Sequence, residues 1–285
     1  MRLLSFSIEG RSTFGVLDRS GAGVIDLAPR IAGVGSLDEL IRQRRLADVH
    51  AFLDDPADHL VASITFERTL TWPRKVFCIG VNYGGRSAEY ADPTDAPYPS
   101  VFIRYPDSLT AHDAPLVRPP ESEQLDYEGE IVAVIGTAGR RIPIDRAREH
   151  LAGLTLGNEG TIRDWVRHAK FNVTQGKNWQ HSGSLGPWMV TMDEVGPFDD
   201  LTLMTTVNGE VRQHDSPATM KYSIEALVHY LSTFTELAPG DVIFTGTPTG
   251  AGARFDPPLW LAPGDVVEVT VNEIGTLRNT IMDET

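Results

Sequence analysis

Leu125-Asp126-Tyr127-Glu128-Gly129-Glu130-Ile131-Val132-Ala133-Val134-Ile135-Gly136 sets acids at every second position and then runs directly into five apolar residues. Side chains two apart on a strand share a face, so Asp126, Glu128 and Glu130 are expected to project the same way, roughly 7 Å between successive ones. Like charges in a row repel, and a divalent cation is the simplest device that reverses the sign of that interaction. An all-oxygen donor set selects a hard ion, Mg²⁺ first, then Mn²⁺ or Ca²⁺, rather than zinc. The same alternation also describes a half-exposed strand whose acids point to water, and spacing alone leaves both readings open. A further acid, Glu159, sits in Gly157-Asn158-Glu159-Gly160-Thr161-Ile162-Arg163-Asp164-Trp165, beside a glycine that lets backbone approach closely. From a different strand it would supply a third ligand; otherwise it is an ordinary turn carboxylate.

Around this stretch the chain reads as a globular protein of 285 residues, enough for one large domain or for one large and one small. Its 25 Lys and Arg against 39 Asp and Glu leave a net charge of −14, which disfavours nucleic acid and anionic membrane surfaces as partners. Residues 1–9 hold only a broken apolar run before an acid, too short for a signal sequence, and no membrane-length segment follows, so a cytoplasmic protein is expected. The single cysteine, Cys78, forms no internal disulfide and no cysteine-based zinc site. Flanked by Val76, Phe77, Ile79 and Val81, it reads as a buried strand thiol rather than a nucleophile.

Dense punctuation by 26 Gly and 19 Pro, with short intervening runs of Val, Ile, Thr and Phe, predicts a mostly β protein with a few helices, of α+β class. Residues 1–72 read as a small N-terminal α+β domain: a strand pair over 3–8 and 13–17, a strand at 23–27, and helical pattern over 37–46 and 50–53. Residues 73–285 form the second domain. Its strands are expected at 76–81, 100–104, 131–135, 154–157, 188–191, 201–207, 241–244 and 266–271, and its helices at 144–151 and 223–234.

Five blocks carry a family resemblance: Ile79-Gly80-Val81-Asn82-Tyr83; Asp126-Tyr127-Glu128-Gly129-Glu130; Asn158-Glu159 with Arg163-Asp164; Val207-Asn208-Gly209-Glu210; and Pro239-Gly240-Asp241-Val242-Ile243 running to Gly246-Thr247-Pro248-Thr249-Gly250. In order and spacing they resemble the fumarylacetoacetate hydrolase superfamily over about residues 75–281. Within it the chain is most similar to bacterial 2-hydroxyhepta-2,4-diene-1,7-dioate isomerase and acylpyruvate hydrolase-like members. The resemblance implies a mixed β-roll catalytic domain, a bound Mg²⁺ (Mn²⁺ or Ca²⁺ as alternatives), a homodimer, and a small 2-oxo carboxylate substrate from aromatic-compound catabolism. Glu128 and Glu130 take two ligand places. Glu159 takes the third, where the family usually has Asp, and its extra methylene moves the carboxylate outward. Asp126 falls where the family usually has no ligand, and reads as lying behind the ligands or as solvated.

The resemblance also places Lys177 near the substrate, where its ammonium would help neutralise an enolate. Thr247 and Gln213 take substrate-side positions, and Arg104 would pair with a distal carboxylate. Hydrolytic members carry Asn-Tyr-x-x-His-x-x-Glu, whereas this chain reads Asn82-Tyr83-Gly84-Gly85-Arg86-Ser87-Ala88-Glu89. Guanidinium has no acceptor, so Arg86 cannot take a proton from water and instead suits a carboxylate anchor. Either Glu89 alone is the base, or His112 or His181 enters, or the reaction needs no hydrolytic water. Residues 83–99 read as a lid that closes over the metal. The function expected first is Mg²⁺-dependent hydrolysis of an acylpyruvate-type C–C bond. Isomerisation or decarboxylation on the same site comes next, and a ligand-binding member without activity, suggested by Arg86 and Glu159, comes last.

Overall fold

The structure is a computed structural model that describes residues 1–85, 97–166, 168 and 172–285. At its centre the apolar run becomes the strand Gly129–Ile135, buried at every position. It pairs antiparallel with Leu151–Asn158 on one side and with Val242–Phe244 on the other. A strand covered on both faces needs no polar alternation, which is why this stretch reads as continuous hydrophobe. Ile131, Ala133 and Ile135 face a core shared with Leu227, Val228 and Leu231, whereas Val132 and Val134 face a second core with Leu3, Phe14 and Leu40.

Pairing extends outward from this centre into a twelve-stranded mixed sheet. Leu151–Asn158 pairs with Gly183–Thr191, which pairs in turn with Arg2–Ile8. On the far side Val242–Phe244 runs parallel to Val76–Gly80, and Ser100–Arg104 forms the edge. A second sheet of five strands includes Leu203–Val207, Val266–Val271 and Gly275–Asp283. Together they make the mixed, β-dominated architecture expected of the catalytic unit, with a smaller strand-and-helix region at the N-terminus. A short ribbon, Leu125–Asp126 against Thr161–Ile162, sets the segment before the acidic strand beside the segment after Glu159.

Residues 1–72 add strands to the same large sheet through the pairs Arg2↔Val190 and Leu3↔Met189. Helix Leu37–Arg42 starts at Ser36, whose hydroxyl accepts from the Glu39 N–H. Buried Asp38 accepts the backbone N–H groups of Thr71 and Trp72 and so fastens that segment to the helix.

The helix Ile224–Phe234 follows its pattern closely: Ser223 caps it, and Ile224, Leu227, Val228 and Leu231 form the buried stripe. Several elements differ from the sequence reading, among them the strands Glu210–Asp215 and Gly275–Asp283, which it did not place. The pattern over 37–46 breaks after Arg42, because Arg44 takes φ +57°, and a 3₁₀ segment Leu46–Phe52 follows. The helix expected over 144–151 is the 3₁₀ segment Ile144–His150, with Leu151 already in a strand. The strand expected over 188–191 begins five residues earlier, at Gly183. Pro187 does not stop it, because it falls where the register shifts between Leu156↔Gly186 and Leu154↔Val190. Cys78 is fully buried in its strand, and burial pushes its thiol well above the usual range. Among the described residues no helix is long and apolar enough to cross a membrane.

Candidate metal centre

The ladder pair Gly129↔Asn158 brings Glu128 and Glu159 side by side. The Glu159 N–H donates to the Glu128 carbonyl at 2.8 Å, and the Glu128 N–H donates to Asn158 Oδ1 at 2.9 Å. Glu130 lies two residues further along the same face. One carboxylate oxygen from each of Glu128, Glu130 and Glu159 falls within 4.8 Å of the other two, and all three residues are buried. The glycine after Glu159 is required sterically: a Cβ at Gly160 would stand 1.8 Å from the Ser182 carbonyl oxygen.

Cations surround two of the three acids. Lys177 Nζ lies 2.6 Å from Glu128 Oε2 and 2.5 Å from Glu159 Oε2. Arg163 Nη2 donates to Glu128 Oε1 at 2.6 Å, and Arg104 Nη1 to Glu159 Oε1 at 3.1 Å. Glu130 instead accepts the Gly246 N–H at 2.7 Å, with no Lys or Arg among the described residues within ion-pair reach. Burial, together with the neighbouring Glu159 and Glu128 charges, pushes its carboxyl well above the ordinary range. Burial works against the Lys177 charge too, but Glu128 and Glu159 outweigh it and hold the ammonium above its usual value. Three converging carboxylates, one with no cation of its own, suit a hard dication: the donors are all oxygen, and the uncompensated charge is what such an ion would neutralise. Glu128, Glu130 and Glu159 are the residues that would hold it.

The cluster floors a cavity of about 320 Å³, the lower end of the range for small-molecule sites. Lys177, Arg163 and Thr247 also line it, and Val81, Val101, Phe102, Val166 and Val173 form an apolar wall. Thr247 reaches the cavity, but its hydroxyl proton goes to the Gly129 carbonyl at 2.9 Å. Gln213 does not line the cavity. Its Oε1 accepts the Gly129 N–H, and its Nε2 donates to Thr247 Oγ1 and the Pro248 carbonyl, so it braces the turn.

Arg104 requires a correction. Rather than reaching for a distal carboxylate, it is 1% exposed and donates to Ser108, Glu159, Gly160 and Ser182, leaving no N–H for substrate. Asp126 takes the first of its two readings, behind the ligands, where Arg163 joins it to Glu128. The backbone leaves strand pairing at Tyr127 and Glu128, so Asp126 does not join the other acids, and it is fully buried rather than solvated. His112 accepts the Arg278 N–H through Nδ1, His181 lies beside a different cavity, and no histidine among the described residues lines the metal-site cavity. Arg86 and Glu89, and most of the lid expected over 83–99, lie outside the described residues.

Two contributors were missed in the sequence. Arg163 stands four residues after Glu159 and returns to Glu128, a contact no linear spacing announces. Asn82, fully buried, donates to the Thr245 and Tyr222 carbonyls at 2.7 and 3.0 Å and so locks the turn that presents the Gly246 N–H.

Comparison with known proteins agrees with this geometry. Over 212 residues the chain is 39% identical to the oxaloacetate tautomerase YisK of Bacillus subtilis, covering 73% of this chain and 69% of that one. A fumarylacetoacetate hydrolase structure from Exiguobacterium antarcticum superposes with a TM-score of 0.88 at 33% identity, covering all of both chains. The 2-hydroxyhepta-2,4-diene-1,7-dioate isomerase structure from Mycobacterium marinum gives 0.76 at 28% identity, over 100% of this chain and 99% of that one. The family model for the fumarylacetoacetate (FAA) hydrolase C-terminal region matches residues 75–282, a span that holds all three clustered glutamates, and the chain belongs to the fumarylacetoacetate hydrolase family.

Proposed function

We propose that the protein is a divalent-metal-dependent tautomerase of a small 2-oxo dicarboxylate of the oxaloacetate type, moving a proton between C3 and the 2-oxo oxygen. The observation that carries this reading is the uncompensated Glu130 carboxylate beside Glu128 and Glu159, at the floor of a small cavity that also holds a buried ammonium. The 39% identity to a relative named as an oxaloacetate tautomerase supports it. A bound Mg²⁺ or Mn²⁺ would supply Lewis acidity toward the carboxylate and 2-oxo oxygens of the substrate.

The remaining work falls to the chain. Lys177 keeps a positive charge next to where negative charge develops on the 2-oxo oxygen as C3 gives up its proton. The wall formed by Val81, Val101, Phe102, Val166 and Val173 lowers the local dielectric and strengthens that interaction. Glu89 is proposed to carry the C3 proton, and Arg86 to anchor the second carboxylate. Hydrolysis of an acylpyruvate is the second reading, favoured by the likeness to a structure named as a hydrolase. It ranks lower because cleavage by water needs a base to activate that water, and Arg86 stands where hydrolytic members have histidine.

The test follows loss of enol-oxaloacetate by ultraviolet absorbance, and pyruvate release in parallel, with acylpyruvates as alternative substrates. Accelerated ketonisation without pyruvate is expected, abolished by EDTA and restored by Mg²⁺ or Mn²⁺. Lys177→Met is expected to lower kcat by roughly 10²–10³, the scale for removing one charge-stabilising group. Cleavage of acylpyruvates with no effect on the enol would replace this reading with the hydrolytic one.

A further inference from the structure

Asp126 is fully buried, yet it belongs neither to the three-carboxylate cluster nor to the cavity lining. Its Oδ1 accepts the Tyr127 and Gly252 N–H groups at 2.9 and 2.8 Å. Its Oδ2 accepts the Ala253 N–H at 3.0 Å and Arg163 Nε at 2.7 Å. The other arm of the same guanidinium, Nη2, reaches Glu128 Oε1 at 2.6 Å, and Arg163 lines the cavity. Arg163 is thus a cation placed against a carboxylate that the proposed metal also needs.

Charge decides whether that arrangement can hold a dication. Among the described residues Asp126, Glu128, Glu130 and Glu159 face Arg104, Arg163 and Lys177, so with every one of these groups ionised, as a bound cation requires, the acids outnumber the bases by one. Without Asp126 these described acids and bases would be equal in number, and a dication would meet no excess of negative charge from them. We infer that Asp126 is a positioning residue for the metal centre: by neutralising Arg163 it lets that guanidinium face the cavity without drawing off the negative charge of Glu128. Three backbone N–H donors hold the Asp126 carboxylate in place independently of Arg163. This inference rests on the metal-dependent reading above.

The experiment is a calorimetric titration of the full chain with Mn²⁺ alone, on wild type, Asp126→Asn, Arg163→Gln and the double variant. Asp126→Asn is expected to weaken Mn²⁺ binding about tenfold or more, the scale on which groups behind metal ligands act. Arg163→Gln, which leaves Glu128 held by Lys177, is expected to bind Mn²⁺ at least as tightly as wild type within about twofold. The double variant is expected to bind more tightly than Asp126→Asn, because the second change removes the cation whose Asp126 partner the first took away. A merely structural Asp126 gives the opposite, with the two losses compounding. Asp126→Asn binding like wild type, or a double variant weaker than Asp126→Asn, overturns the inference while leaving the metal site intact. Wild type that binds no Mn²⁺ overturns the metal-dependent reading, and this inference with it. Should Asp126→Asn fail to fold by circular dichroism, Arg163→Gln decides: retained affinity supports the charge balance, and a tenfold loss contradicts it.

Discussion

Glu130 is grouped with Glu128 and Glu159, and among the described residues one backbone donor, the Gly246 N–H, is directed at its side chain. In metal-free protein ionising Glu130 therefore opposes folding, a cost that grows as pH rises above the ordinary carboxylate range. Glu130→Gln should raise the melting temperature in EDTA by about 2–4 °C for each kcal/mol of repulsion relieved, and should abolish the further rise that Mn²⁺ gives wild type. Thermal melts with and without Mn²⁺ check this; an unchanged melt in EDTA, or a preserved Mn²⁺ response, contradicts it. Strand alternation and a following glycine marked the three clustered glutamates as candidates, but alternation also put Asp126 with them, and it was the family resemblance that gave the ligand set. Arg104 was not. Whether an arginine turns toward substrate or into the protein depends on acceptors such as Ser108 and Ser182, brought to it from far along the chain.

At the level of elements, the turn after Val242–Phe244 runs beside the acidic strand. Thr245 Oγ1 donates to the Ile131 carbonyl, the Gly246 N–H to Glu130, and Thr247 Oγ1 to the Gly129 carbonyl. Gly246 holds φ +107°, and a Cβ there would stand 2.6 Å from the Asn82 Cβ. Gly246→Ala should therefore cost about 1–3 kcal/mol and displace the one donor that fixes Glu130. The expected outcome is a lower melting temperature together with weaker Mn²⁺ binding; a variant that loses neither would show that the turn does not orient the site. Most strands and the helix Ile224–Phe234 could be placed from apolar pattern and capping residues. The Leu125–Asp126 and Thr161–Ile162 ribbon could not, since two residues a side carry no periodicity, although this ribbon separates Asp126 from the other acids.

At the level of the molecule, residues 1–72 and 73–285 remain a proposed division, and the two parts share one sheet and one core. Leu3 pairs with Met189, and Phe14, Leu40, Val132 and Phe244 belong to the same buried cluster. A fragment of residues 73–285 is expected to aggregate or to melt non-cooperatively, because Val132, Val134 and Phe244 would lose that cover; a soluble, cooperatively folding fragment would show the larger unit to be self-sufficient. Metal acts on the same scale. If only the folded chain holds the dication, saturation at a hundred times Kd stabilises it by about 2.7 kcal/mol.

Anomalous diffraction from a crystal soaked in Mn²⁺ tests the central proposal most directly. One strong peak is predicted within bonding distance of carboxylate oxygens from Glu128, Glu130 and Glu159 together. A map with no peak among those three side chains, or with Mn²⁺ bound only elsewhere, would contradict the account.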